Sequence, residues 1–100
     1  MAAYRTVMAG AWVYILRCAD GSLYTGWSTD VRRRLAAHAA GKASKYTASR
    51  RPAELVFVAP MSDRASARRE EARIKALARA GKLELIAERA RRSPPDLART

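Results

Sequence analysis

Residues 12–28, WVYILRCADGSLYTGWS, decide the fold. WVYILRC at 12–18 is dense in β-branched and aromatic types and reads as a strand. Ala19-Asp20-Gly21 is a turn signal, and SLYTGWS at 22–28 reads as the returning strand of a β-hairpin. The hairpin carries Tyr14 and Tyr24, an even separation of ten residues. A two-residue Asp20-Gly21 loop would pair positions that sum to an odd number and put the two phenols on opposite faces. A three-residue loop with Gly21 in the left-handed region makes the sum even. Tyr14 would then lie opposite Gly26, and Tyr24 opposite Leu16. A site shared by both tyrosines requires the second register, which is the expected one.

Working outward, Ser28, Thr29 or Asp30 can cap a helix from Val31 to Ala40, stopped by Gly41. Residues 42–52 form a basic loop closed by Pro52. AELVFVA at 53–59 is a third strand, ended by Pro60. Ser62 or Asp63 starts a longer helix reaching Ala80, with Gly81 at its end, and a short helix from Lys82 to Glu88 follows. The order β-β-α-β-α-α predicts an α/β (α+β) domain with a small three-stranded antiparallel sheet flanked by helices. Residues 1–11 are expected to be an extension, with Met8 a second candidate start, and 12–89 the folded domain. The basic tail at 90–100 has paired prolines and no apolar period, and is expected to be disordered or draped on the surface. The core is expected to use Trp12, Val13, Ile15, Leu16, Leu23, Leu35, Leu55, Val56, Phe57, Ile74 and Leu77.

Twenty Lys+Arg against nine Asp+Glu give a formal charge of +11 in 100 residues. Such an excess points to a polyanionic partner, and arginine-rich surfaces suit phosphate contacts strengthened by counterion release. Nucleic acid is therefore the expected partner. Cys18 is the sole cysteine, which excludes an internal disulfide and fits a reducing compartment. No apolar run approaches the ~20 residues of a membrane span, and the first residues lack the apolar centre of a signal peptide. A cytoplasmic location is expected.

Trp12-Val13-Tyr14 and Tyr24-Thr25-Gly26 resemble the two halves of the GIY-YIG nuclease signature. The helix that follows carries Arg34 and then His38. GKASKYTASRRPAELVFV and ARREEARIKAL extend the likeness to the compact single-domain bacterial members, from about Val13 to Ile86. Trp12 replaces the first glycine of the signature, Thr25 its second central apolar residue, and Ala39 stands where many relatives carry Asn. The resemblance implies a phosphodiester hydrolase with Tyr14, Tyr24, Arg34, His38 and a glutamate in its site.

At ~100° per residue, Val31, Leu35 and His38 share a helix face, and Arg34 lies at its edge. Arg32 and Arg33 point into solvent, where phosphate contact is open to them. Glu70 and Glu71 both flank the apolar stripe of Ala67, Ile74, Leu77 and Ala78, so helical geometry does not choose between them. The family pattern places its glutamate three residues before an Ile-Lys pair, which selects Glu71. An ordinary Glu71–Lys75 salt bridge is the structural alternative.

The chemistry the resemblance implies is metal-dependent endonucleolytic cleavage of DNA, in repair or processing, leaving a 5′-phosphate and a 3′-hydroxyl. One Mg²⁺ (or Mn²⁺) would be held by Glu71 and waters, and Arg34 would grip the scissile phosphate through its planar fork. Tyr24 is favoured as the base, with Tyr14 hydrogen-bonding the phosphate or a water on the ion. His38 is the rival base, because its ordinary pKa suits the work. Lys42, Lys45, Arg50 and Arg51 would contact phosphates, with Tyr46 stacking on a base. Single strands, flaps or branches are candidate substrates. The competing readings are a non-catalytic nucleic-acid or ribosome-associated module that keeps the fold, and a weak nuclease subunit with a protein partner in a repair complex.

Overall fold

The computed structural model describes residues 9–92. Strands β1 (Ala11–Arg17), β2 (Leu23–Ser28) and β3 (Glu54–Met61) form one sheet of order β2-β1-β3, both pairings antiparallel. Helix α1 (Val31–Ala39) and the one-turn helix α2 (Lys45–Ala48) lie between β2 and β3, and α3 (Arg64–Lys75) and α4 (Arg79–Arg92) follow β3. This is the α+β architecture expected from the hairpin.

The hairpin takes the three-residue loop. The Cys18 amide donates to Ser22 O at 2.9 Å and the Gly21 amide to Cys18 O at 2.9 Å, with Gly21 at φ +85°. That left-handed conformation is costly for a residue with a Cβ. The register sets Tyr14 opposite Gly26 and Tyr24 opposite Leu16, so both tyrosines stand on one face of the sheet.

The other face is the core. Ala11, Val13 and Ile15 of β1 meet Val56, Phe57 and Ala59 of β3 under Ala67 and Ile74 of α3 and Ile86 of α4. Val56 and Phe57 are consecutive yet both buried, because a bulge at β3 shifts the register between Ile15 and Leu16. An extra residue in one strand lets two neighbours turn inward. Val13, Ile15, Leu16, Val56, Phe57 and Ile74 are buried as expected, whereas Trp12, Leu23, Leu35, Leu55 and Leu77 are half-buried.

Several boundaries differ from expectation. Pro60 does not end β3, which runs on to Met61. An edge strand tolerates proline because its missing donor can face the open side. The loop at 42–52 contains α2, which Ser44 caps by accepting from the Thr47 amide at 3.1 Å. The helix expected to reach Ala80 breaks after Lys75, and α4 passes through Gly81 to Arg92 instead of running from Lys82 to Glu88. In one straight helix Ile74 and Ile86 would diverge by about 120°, so the break lets both enter the core. Of the expected extension, Ala11 belongs to β1 and the Gly10 amide bonds Met61 O, and of the expected tail, residues 90–92 belong to α4; residues 1–8 and 93–100 lie outside the described residues. Asp30 and Asp63 are the caps of α1 and α3, each accepting a backbone amide three residues on.

Among the described residues, the side-chain oxygen of Thr25, 3% exposed, has no hydrogen-bond partner. A buried unpaired hydroxyl loses its hydration without compensation. Thr25→Val keeps the shape and should raise the unfolding free energy by about 1 kcal/mol, read as a higher urea midpoint; a lower midpoint would show that the hydroxyl has a stabilising role.

Candidate active site

Tyr14 is set by the central strand and roofed by Gly26 of the neighbouring one. A Cβ on Gly26 would lie 2.6 Å from the Tyr14 hydroxyl and 2.7 Å from its Cζ. The absence of that side chain is what lets the ring lie flat across β2 and turn its hydroxyl toward α1. There it meets His38 Nε2 at 2.9 Å. Asp30 at the start of α1 and Gly41 at its end fix that helix so that His38 faces the sheet, 2% exposed. The other ring nitrogen, Nδ1, lies 2.8 Å from Thr47 Oγ1 on α2.

Tyr24 closes the other side of His38. The two rings meet edge to face at 5.3 Å, as Tyr14 and His38 do at 5.8 Å. Tyr46 stacks on Tyr24 at 6.0 Å, with planes 26° apart. The Arg50 guanidinium sits 3.8 Å from the Tyr46 ring centre.

Electrostatics tie Arg34 and Glu71 to the same cluster. Burial pushes the Tyr14 phenol well above its ordinary value, and Tyr24 and Glu71 push it further while Arg34 opposes them. Burial lowers the His38 imidazole below its ordinary 6.5, and the Arg34 charge lowers it again. His38 is therefore neutral at pH 7. Unfolded, the chain takes up this proton first as pH falls below 6.5, so the folded state is favoured above that value and loses the advantage below it. Because His38 is the only histidine, the urea midpoint should drop between pH 7 and 5.5, and His38→Gln should flatten the step. A midpoint indifferent to pH in wild type would argue against a buried neutral imidazole.

The two glutamates part company. Glu70 is gripped by Arg73, with contacts of 2.6 and 2.9 Å, which hold its carboxyl below the usual carboxylate range. Among the described residues Glu71 has a single ion-pair contact, to Lys75 at 3.6 Å, and it is Glu71 whose charge is felt at Tyr14. The cations expected to bind phosphate also divide. Arg32, Arg33, Lys42 and Lys45 are exposed. Arg50 instead bonds Asp20 at 3.1 Å and Tyr46 O at 3.0 Å. Arg51 clamps the carbonyls of Ala48 and Ala39 at 3.0 and 3.2 Å. Phosphate would have to compete for both.

The sequence reading passed over Thr47 and the arginines of α3. A threonine in a basic loop carries no signal until the loop is seen to coil. Arg64 and Arg68 lie within about 60° of Glu71 around α3, and among the described residues neither joins an ion pair.

Among the described residues no group of three or more His, Cys, Asp and Glu could cage a metal. The donors at hand, one carboxylate beside two phenols, suit a hard cation that keeps most of its waters and takes further oxygens from a phosphate. Among the described residues no helix is long and apolar enough to cross a membrane.

A model of the GIY-YIG catalytic domain matches residues 10–84. A UPF0213 protein of Staphylococcus haemolyticus is 49% identical over 82 residues, covering 82% of this chain and 100% of the relative. One from Natronomonas pharaonis is 46% identical over 80 residues, 80% of this chain and 94% of its own. The solution NMR structure of a UPF0213 protein from Bacillus halodurans, 45% identical, covers 77% of this chain and 82% of that chain with a TM-score of 0.52.

Proposed function

The chain belongs to the GIY-YIG catalytic domain family, and on that premise we propose that it is a metal-dependent endonuclease hydrolysing phosphodiester bonds in DNA. The observation that carries the reading is the Tyr14–His38 hydrogen bond at 2.9 Å, made within reach of Tyr24, Arg34 and Glu71. A module that only bound nucleic acid would not need Tyr14, Tyr24, Arg34 and Glu71 together as one set.

A phenol whose pKa is raised is a poor base if it must first become a free phenolate. Paired with His38, it need not. The attacking water gives a proton to the Tyr14 oxygen while the Tyr14 hydrogen passes to Nε2, so Tyr14 and His38 act as one base. This moves the base from Tyr24, the expectation from sequence, to the Tyr14–His38 pair. The new oxygen–phosphorus bond forms, the bond to the 3′ oxygen breaks, and that oxygen takes a proton from solvent. The products carry a 5′-phosphate and a 3′-hydroxyl. Arg34 grips the phosphate and neutralises its growing charge. Bound phosphate also offsets the Arg34 charge that disfavours an imidazolium at His38. Tyr24 donates to a non-bridging oxygen.

Glu71 would hold one Mg²⁺ or Mn²⁺, which supplies Lewis-acid stabilisation of the phosphate. The exposed Arg32, Arg33, Lys42, Lys45, Arg64 and Arg68 would take the phosphates of the nucleic-acid backbone. These contacts hold phosphates and do not read bases, which favours single-stranded or branched substrates in repair or processing of DNA in the cytoplasm. The test is incubation of purified protein with single-stranded, duplex and branched DNA, with Mg²⁺ or Mn²⁺ and with chelator. Ion-dependent cutting of at least one substrate supports the reading; binding without cutting on all of them makes the chain a binding module.

A further inference from the structure

We propose that Thr47 is a positioning residue that holds His38 protonated at Nδ1, leaving Nε2 as the acceptor for the Tyr14 hydroxyl. This rests on the nuclease reading for its consequence but not for its geometry. Thr47 and His38 are 0% and 2% exposed, so their polar atoms take their partners from the protein, and the hydroxyl of Tyr14, 1% exposed, meets the His38 ring. Thr47 Oγ1 has one proton, and beside the imidazole its acceptors are Ser44 O at 3.4 Å and Ser44 Oγ at 3.3 Å. With the hydroxyl donating to Ser44, its lone pairs face His38 Nδ1 at 2.8 Å and can only receive.

The polarity then runs one way along the chain of groups. Tyr14 donates to Nε2, Nδ1–H donates to Thr47, and Thr47 donates to Ser44. Each of the three buried side chains then has a partner for its polar atoms. The reverse polarity would have Thr47 donate to Nδ1 and Nε2–H donate to the Tyr14 oxygen. It would leave the Tyr14 hydrogen without an acceptor among the described residues and fill the ring position that must take the proton. The tautomer therefore decides whether Tyr14 can relay a proton, and the residue that sets it comes from a segment the sequence marks only as a basic loop. That one turn of helix does two jobs. Ser44 caps it, Thr47 points at His38, and its neighbour Tyr46 stacks on Tyr24.

Because the chain has a single histidine, its ring nitrogens give an unambiguous pair of signals in a long-range ¹H–¹⁵N correlation spectrum of uniformly labelled protein at pH 7.5. The expected spectrum of the wild type has a pyrrole-like Nδ1 and a pyridine-like Nε2. Thr47→Val should shift the balance toward the Nε2–H form and lower kcat by about 10–100-fold, the usual scale for losing an outer partner of a functional histidine, with KM unchanged. Thr47→Ser, which keeps the hydroxyl, should restore both the spectrum and kcat. An Nε2–H wild type overturns the proposal, as does a Thr47→Val protein that keeps the Nδ1–H form. The wild-type spectrum needs no variant, so a misfolded Thr47→Val leaves the proposal open to refutation. Absence of cleavage together with an Nδ1–H spectrum would sink the nuclease reading and leave the positioning of His38 standing.

Discussion

Replacing Arg34 by alanine should lower the single-turnover cleavage rate by about 10²–10³-fold, the range found when a fixed donor to a developing anion is removed. Arg34 is exposed on α1, one turn before His38, and its charge bears on both members of the proposed base. It is thus placed to touch a phosphate whose attacking water sits over Tyr14. Lysine keeps the charge but loses the planar fork that matches two phosphate oxygens, so Arg34→Lys should fall between wild type and alanine. Affinity should change little in either variant, because Arg32, Arg33, Lys42 and Lys45 remain. Removing the positive charge also removes one of the two causes that lower His38, so the titration of its ring signals should move upward in Arg34→Ala. Full activity in Arg34→Ala would show that the phosphate binds elsewhere.

The second large effect should come from a residue with no side chain. Gly26→Ala puts a methyl group 2.6 Å from the Tyr14 hydroxyl and 2.7 Å from Cζ, far inside contact distance, and the ring must move. Tyr14 is almost wholly enclosed, so the shift strains the neighbouring packing, at about 1–3 kcal/mol for an overpacked site. It also pulls the hydroxyl from His38. Cleavage should fall at least ~100-fold, since a misplacement near 1 Å is enough for that. Gly21→Ala is the control. It strains the backbone at φ +85° but meets nothing within 4 Å, so it should reduce stability and leave cleavage of the folded fraction intact. Thermal melts and single-turnover rates on the two variants separate the cases, and a fully active Gly26→Ala would mean that the observed Tyr14–His38 contact is not used.

The hairpin was legible because parity and a single glycine determine it. Tyr14 and Tyr24 share a face only with a three-residue loop, and Gly21 has the freedom that loop needs. The first helix was legible from its cap and the glycine at its end. What escaped was decided by contacts distant in sequence. The turn at Lys45–Ala48 has a local cap in Ser44, but that its Thr47 meets His38 is a contact no local pattern reports. The break after Lys75 is imposed by two isoleucines that must reach one core. Pro60 misled because a proline stops a central strand but not an edge, and edge status is a property of the sheet. Within the site, helical spacing placed Glu70 and Glu71 equally well. Arg73 separates them by occupying Glu70. Arg50 and Arg51, expected to contact phosphates, also have backbone carbonyls and the Asp20 carboxylate as partners, which lie apart from them in sequence. That Tyr14, rather than Tyr24, bonds the imidazole depends on the packing of the first helix against the sheet, which spacing does not report.

The most direct measurement puts binding and cutting in one tube. A fluorescent branched DNA is mixed with wild type or Glu71→Gln in the presence of Mg²⁺, anisotropy is read at once, and products are resolved at later times. Glutamine keeps the shape of Glu71 and removes the charge that would hold the ion. The expected result is equal anisotropy for both proteins, with cleavage by wild type alone. Equal binding with no cleavage by either, or equal cleavage by both, would contradict the account.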